Sequence, residues 1–162
     1  MMQLYLLRHG IAEDGKPGRP DSERALTDEG RAKLRRVLRR ARSAEVNPTL
    51  ILSSPYQRAV QTAEVAADVF RYGGDIVRSA AFVPESSPVE LWNEVRLYKN
   101  ETAVLIASHE PLMSSAVAYL LACPSLAVDM KKAALVRIDL DRFHPEPRGI
   151  LKWMLTPALC LE

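Results

Sequence analysis

Short apolar runs alternate with amphipathic stretches along most of the chain. Three runs have the length and bulk of buried strands and are too short for helices: 4–7, 49–52 and 102–107. A shorter run at 76–77 predicts a further strand, and late runs at 133–140 and 150–155 predict a hairpin at one sheet edge. The stretches between them have helical spacing: 27–44, a segment that begins at Ser54–Gln57, 89–98 and 112–121. This order predicts an α/β fold with three layers, α/β/α, in which a mostly parallel central sheet ends in an antiparallel edge hairpin.

Local signals support two of the helix starts. Thr27 is a predicted N-cap, because acidic residues follow it in the first turn. Ser54 and Gln57 have the spacing of a capping box, with Pro55 at the first helical position, where its missing N–H does no harm.

The composition narrows the class of protein. At 162 residues the chain is predicted to be a single domain, 1–162, and a net charge of +2 does not favour nucleic-acid binding. Two cysteines without CxxC spacing fit a reducing compartment, and neither a signal peptide nor a membrane span is indicated. We therefore expect a cytoplasmic protein without nucleic-acid or membrane partners.

Polar groups follow three of the predicted strands. The first strand ends at Arg8-His9-Gly10, the second at Ser53-Ser54-Pro55 with Arg58 just beyond, and the late one at Ser108-His109. The carboxyl ends of parallel strands meet at one edge of a sheet, where α/β folds keep their sites. Two histidines and two arginines are therefore expected on one rim.

This combination suits a phosphoryl group. Arginine presents a planar fork of donors to phosphate oxygens, and a neutral imidazole can attack phosphorus and form a phosphohistidine intermediate. His9 is the predicted nucleophile, and His109 beside it would stabilise charge on the oxygens. Gly10 would allow a sharp turn with its backbone facing a ligand.

The charged residues allow two other interpretations. The histidines lack the spacing of a metal site, so neither a metal nor another cofactor is expected. One face of the 27–44 helix is strongly basic, which is typical of a solvated face but also suits docking of an acidic protein partner. That face carries Arg31, Lys33, Arg35, Arg36, Arg39, Arg40 and Arg42.

Three motifs carry a family resemblance. RHG at 8–10, SPYQRAVQTA at 54–63 and SHEP at 108–111 resemble the histidine phosphatase superfamily, whose fold is also called phosphoglycerate-mutase-like. The short chain and the LTDEG segment at 26–30 are most similar to its SixA-type branch of phosphohistidine phosphatases.

The resemblance implies roles for individual residues. His9 matches the phosphorylated nucleophile, and Arg8, Arg58 and His109 match the surrounding phosphate pocket, which phosphate or sulfate would occupy. Arg24 takes the place of an arginine that the SixA-type branch brings to the phosphate. Glu85 is the preferred general acid and substrate-binding carboxylate; the other candidates are Glu90, Glu13 and Asp14.

The predicted function is removal of phosphate from phosphohistidine on a partner protein, a phosphorylated histidine-carrier protein. A phosphomonoesterase for a small sugar or nucleoside phosphate is the alternative inside the same fold. A mutase and a non-catalytic phosphate-binding module rank lower. The leaving group decides between the first two, because imidazole leaves more easily than an alkoxide and needs no dedicated acid.

Overall fold

A six-stranded mixed sheet forms the centre of the computed structural model, which describes residues 1–160. The strands are β1 Met2–Arg8, β2 Leu50–Ser53, β3 Ile76–Arg78, β4 Ala103–Ser108, β5 Leu135–Leu140 and β6 Ile150–Leu155. Their order is β3-β2-β4-β1-β5-β6; the first four are parallel to one another, β5 is antiparallel to β1, and β6 is antiparallel to β5. The predicted parallel sheet with an antiparallel edge hairpin is therefore confirmed.

Four α-helices cover the two faces of the sheet: α1 Asp28–Ser43, α2 Gln57–Phe70, α3 Pro88–Arg96 and α4 Leu112–Leu120. Buried residues of α1 and α2 share one apolar cluster, and those of α3 and α4 share the other. Short 3-10 turns at Asp21–Glu23, Ala80–Phe82 and Pro157–Leu159 complete the structure. The three-layer α/β/α fold is confirmed, and none of the helices in residues 1–160 has the length and apolar character needed to cross a bilayer.

The continuous apolar run of β1 is explained by burial on both faces. Tyr5 and Leu7 pack into the α1/α2 cluster, whereas Leu4 and Leu6 pack into the α3/α4 cluster. A strand covered on both sides has no polar face, so its sequence shows no alternation. β1 thereby reaches the rim with its last residues held rigidly.

Helix α1 lies directly against the chain that leaves β1. A side chain on Gly10 would meet the Leu34 side chain at 2.8 Å, and one on Gly30 would meet the backbone of Ile11. Gly30 is therefore required by the close approach of two backbones. At Gly10 the nearest atom is the end of the Leu34 side chain, and the Gly30 carbonyl oxygen lies at 3.1 Å, so a side chain there would force Leu34 to shift.

Two predicted boundaries differ from the structure. α2 begins at Gln57 with Tyr56 as its N-cap, so the capping box at Ser54 is wrong; the Ser54 hydroxyl accepts the Tyr56 N–H at 3.2 Å instead. β5 begins at Leu135, because Ala133 has a φ of 65°, which breaks the extended strand predicted from 133. The Thr27 N-cap is confirmed, since its hydroxyl accepts the Gly30 N–H at 2.9 Å.

Part of the basic face of α1 is occupied within the chain. Arg35 pairs with Asp68 at 2.8 Å, Arg36 donates to the Pro157 carbonyl and Arg42 donates to the Val69 carbonyl. These bonds join α1 to α2 and to the chain after β6. Several of the arginines on this face therefore have a structural role.

Candidate active site

The strand order brings the three polar strand ends together. β4 lies between β1 and β2, with Arg8 opposite Ser108 and Ser53 opposite Ala107, so all three strands end at the same level. His9 and His109 follow two of them, and Arg58 projects from the first turn of α2. The exposed fractions are 7% for His9, 4% for Arg58 and 1% for His109.

Hydrogen bonds fix the protonation of the His9 ring. Nδ1 lies 2.7 Å from the Gly10 carbonyl oxygen, which can only accept, so Nδ1 carries the proton. Nε2 accepts the Nε–H of Arg58 at 3.3 Å and therefore bears the lone pair. His9 is a neutral imidazole whose unprotonated nitrogen faces the guanidinium of Arg58.

The surroundings of His9 keep it neutral. Burial lowers its pKa from 6.5 to about 4, helped by the positive charges of Arg58 and Arg8 and opposed by the bond to Gly10. The backbone is held as well, because the His9 N–H donates to Ser108 at 2.9 Å and its carbonyl accepts from Ala133 at 3.2 Å. An uncharged nitrogen base is thus available at neutral pH in a fixed position.

Arg58 is fixed on three sides. Its Nε donates to His9, and its two terminal nitrogens donate to the backbone carbonyl and the carboxylate of Asp21 at 2.8 and 3.0 Å. Its guanidinium carbon lies 5.1 Å from the centre of the Tyr56 ring. These contacts hold the guanidinium beside the nucleophilic nitrogen.

His109 is the second imidazole at this rim. The Ser54 hydroxyl accepts from the Tyr56 N–H and lies 2.8 Å from His109 Nε2, and a hydroxyl that donates to Nε2 places the ring proton of His109 on Nδ1. That Nδ1 is buried and has no hydrogen-bond partner within residues 1–160. Burial, followed by the charges of His9 and Arg58, lowers the pKa of His109 to about 3.

The two imidazoles meet edge to face, with ring centres 5.2 Å apart. A buried donor without a partner is costly, and it becomes useful when a ligand oxygen accepts from it. The unpartnered Nδ1 of His109 is thus suited to donate to a ligand oxygen, and the lone pair of His9 Nε2 is suited to nucleophilic attack.

Arg8 adds positive charge from the end of β1. One of its terminal nitrogens donates to the Met130 carbonyl at 2.9 Å, and its buried Nε is unpaired among the described residues. Burial lowers the pKa of Arg8, but a guanidinium remains charged at neutral pH.

Asp21 connects Arg24 to Arg58. The sequence predicted Arg24 as a site residue but not Asp21. Arg24 donates to the Asp21 carboxylate at 2.7 Å and to the Glu13 carbonyl at 2.9 Å. The same carboxylate binds Arg58, and the hydrogen bond from Arg24 is the main reason that its pKa lies below the ordinary value. Asp21 is not among the residues that the sequence predicted. Its position three residues before Arg24 is a signal that could have indicated a pair between the two side chains.

The predicted acids lie outside this cluster. Glu85 is exposed, and its Oε1 lies 3.3 Å from the hydroxyl of Tyr56, whose ring packs on His109 with centres 5.0 Å apart. Glu90 accepts from Ser86, and the side chains of Glu13 and Asp14 are exposed. Glu85 is thus the candidate acid that a chain of contacts connects to the site.

Gly10 holds the His9 ring through its backbone. Its carbonyl accepts from His9, and its N–H donates to Thr62 at 3.2 Å. The structure therefore gives the Gly10 backbone protein partners, where the sequence predicted a ligand. In residues 1–160 no three His, Cys, Asp or Glu side chains are grouped as metal ligands would be.

A neutral nucleophilic imidazole among guanidinium groups and a buried imidazole donor is an arrangement for phosphoryl transfer. Comparison with known proteins agrees. The family model described as "Histidine phosphatase superfamily (branch 1)" matches residues 4–79. Phosphohistidine phosphatase SixA of Escherichia coli K12 is 29% identical over 97% of this chain and 95% of its own length.

Solved structures give the same result. The protein histidine phosphatase SixA in complex with tungstate superimposes with a TM-score of 0.85, at 26% identity over 97% of this chain and 98% of that one. A candidate phosphohistidine phosphatase SixA from Agrobacterium tumefaciens has a TM-score of 0.81 at 25% identity, over 96% and 98% of the two chains. These matches support the histidine phosphatase superfamily and, with it, a hydrolase that acts as a phosphatase. Within the superfamily they support the SixA-type branch.

Proposed function

We propose that this phosphatase removes phosphate from phosphohistidine on a partner protein and that His9 becomes transiently phosphorylated. The observation that carries the proposal is the state of His9: a buried neutral imidazole with its proton bonded to Gly10 and its Nε2 lone pair beside Arg58. Such a nitrogen needs no base to become nucleophilic.

The reaction has two displacements. In the first, the Nε2 lone pair of His9 forms a bond to phosphorus while the bond from phosphorus to the substrate nitrogen breaks, and the electron pair leaves with the substrate imidazole. In the second, water attacks phosphorus, the Nε2–P bond breaks with its electron pair returning to Nε2, and inorganic phosphate is released with both protons of the water. The Nδ1 proton stays on His9 throughout, so His9 leaves as a neutral imidazole.

In this proposal the phosphoryl oxygens accept hydrogen bonds from the surrounding donors. Arg58, Arg8 and the Nδ1–H of His109 supply positive charge and a hydrogen bond that the transition state needs. Arg24 contributes through Asp21, which holds it together with Arg58. Gly10 positions His9 from behind.

The leaving group favours phosphohistidine as substrate. Every turnover ends with expulsion of the His9 imidazole, so a substrate that also expels an imidazole requires no additional acid. An alkyl phosphate would instead require a proton for the departing alkoxide. This argument and the SixA relatives support phosphohistidine on a histidine-carrier protein; tungstate, bound by one of them, is a tetrahedral oxyanion like phosphate.

A second candidate is hydrolysis of a small phosphoester, such as a sugar or nucleoside phosphate. The observation in its favour is the contact between Glu85 and Tyr56, which connects a carboxylate to His109 through one aromatic ring. Glu85 would then be the general acid.

A direct comparison of substrates tests the proposal. The purified protein is assayed against phosphorylated histidine-carrier proteins and against a panel of alkyl and aryl phosphates, with kcat/KM as the measure. We expect the phosphohistidine proteins to give the highest values, with an acid-labile phosphate on His9 during turnover. Higher values for an alkyl phosphate would favour the second candidate.

A further inference from the structure

The rim that carries the histidines continues on the other side of β1. There the end of β1 meets the start of β5, the end of β6 and the side of α1 around a pocket of about 580 Å³. Its lining consists of Arg8, Ile11, Lys33, Lys131, Lys132, Ala133, Thr156, Pro157 and Ala158. No residue of the proposed chemistry apart from Arg8 lies in this lining.

The charge of the pocket is of one sign. Four cationic residues line it, and none of its lining residues within 1–160 is acidic. Lys33 pairs with Glu29 and Lys131 with Asp129, each at 3.1 Å, and both carboxylates are well exposed. Exposed pairs of this kind contribute little to stability, so these lysines can exchange their partners for a bound carboxylate.

The pocket and the phosphoryl site are physically continuous. Arg8 belongs to both, and the Ala133 N–H donates to the His9 carbonyl at 3.2 Å. Lys132, next to Ala133, lies near enough to contribute to the lowered pKa of His9. A ligand whose phosphorylated group reaches His9 therefore has its neighbouring groups beside the lysines.

The lining also indicates the chemistry of the ligand. Ile11, Ala133, Pro157 and Ala158 give the pocket an apolar part between its cations. A polypeptide segment can match such a lining, because it carries carboxylates beside apolar side chains. The phosphate itself is bound on the other side of β1, so this pocket is left for the groups that flank it. The position favours a segment that spans both halves of the rim.

We propose that this pocket, which we call the lysine pocket, binds acidic side chains that flank the phosphohistidine of the partner protein; this rests on the proposed function. This surface lies at the rim beside His9 and shares Lys33 with the basic face of α1, on which Arg36 and Arg42 bond within the chain. It assigns Lys33, Lys131 and Lys132 to recognition of the partner.

Two phosphohistidine peptides of equal length test this, one flanked by Asp and Glu and the other by Asn and Gln. At low salt we expect kcat/KM of the wild type to be at least about fivefold higher for the acidic peptide, and the ratio to approach one as salt rises. Lys33→Gln and Lys131→Gln/Lys132→Gln should each lower this ratio. Because both peptides are compared on the same variant, a change in the chemical step cancels.

Lys99→Gln is the matched control, since Lys99 is exposed and lies shortly before the amino end of β4, at the opposite rim. It should keep the wild-type ratio. Equal kcat/KM for the two peptides, or a ratio that the pocket variants leave intact, overturns the inference while phosphohistidine turnover stands. Absence of turnover with both peptides overturns the proposed function, and the inference with it.

Discussion

The side chains around the phosphoryl site form two groups that are held in different ways. The inner group is His9, Arg58 and His109, and the outer group is Asp21, Arg24, Tyr56 and Glu85. The inner side chains are at most 7% exposed, whereas the Asp21 side chain is 60% exposed and Glu85 is also on the surface. The candidate site for chemistry at phosphorus thus consists of buried side chains that follow β1 and β4 or begin α2, whereas Asp21 and Glu85 contact it from the surface.

We expect replacement of His9, in the inner group, to lower activity more than any change in the outer group. We expect His9→Ala to lower kcat by at least about 10⁴-fold and to abolish acid-labile phosphate on the protein, because no other group replaces the Nε2 lone pair. Single-turnover assays with a phosphorylated carrier protein measure both. His144→Ala is the control, since His144 is exposed and remote in the β5–β6 connection. A labelled and active His9→Ala protein would exclude His9 as the nucleophile.

Arg58 tests whether fixed geometry or charge alone matters in the inner group. Arg58→Lys keeps the charge but loses the fork that contacts His9 and Asp21 together. We expect kcat/KM to fall by about 10²–10³-fold, because a lysine cannot hold both positions. The comparison is Arg39→Lys on the exposed face of α1, which should match the wild type. Full activity of Arg58→Lys would mean that positive charge suffices.

Burial of the two histidines should also make the free energy of unfolding depend on pH. Both have a folded-state pKa far below the 6.5 expected when unfolded, so between about pH 6.5 and pH 4 the unfolded chain binds more protons. The free energy of unfolding should therefore decrease as the pH falls through this window, by about 2 kcal/mol per buried histidine from pH 7.5 to pH 5.

Urea unfolding at the two pH values measures this dependence. His9→Gln should lose about 2 kcal/mol less than the wild type over the same interval, whereas His144→Gln should keep the full dependence. If His9→Gln shows the same decrease as the wild type, the buried neutral state of His9 is not the source.

The inner group was predictable because its signals are local. Buried strands are continuous apolar runs, and the residues that follow them must meet at one rim, so His9, Arg58 and His109 could be named from the sequence. The helix stripe on α1 follows in the same way, and Leu34, Val37 and Leu38 are fully buried. The roles assigned to these residues stay predictions until they are tested.

The outer group depends on contacts that no local pattern encodes. Asp21 meets Arg58 across 37 residues of chain, and the loop around it has no periodicity. Ser54 had the spacing of a capping box, but its hydroxyl bonds His109. Tertiary contacts of this kind override a local preference, and only the folded chain reveals them.

Asp21 is therefore the next most informative change. Asp21→Asn should lower kcat/KM by about tenfold, because an amide holds the two guanidinium groups less strongly than a carboxylate. Glu23→Gln, an exposed acid in the same 3-10 turn, is the matched control. We expect Asp21→Glu to restore part of the activity, as a positioning role requires. Equal activity of the asparagine variant and the wild type would show that Arg58 is positioned without Asp21.

We expect substitution of Glu85 to have the smallest effect on activity. The size of that effect shows whether a residue of the outer group takes part in the reaction. On a phosphohistidine protein, Glu85→Gln should change kcat by less than about twofold, since imidazole leaves without an acid. The same variant is compared on an aryl phosphate and on an alkyl phosphate, with Glu90→Gln as the control.

A loss confined to the alkyl phosphate would identify Glu85 as a general acid and strengthen the case for a small phosphoester. A loss on the phosphohistidine protein would contradict the two-displacement scheme, because that scheme needs no proton from this carboxylate. With neither loss, Glu85 is an exposed partner of Tyr56, and the reaction needs no acid from the outer group.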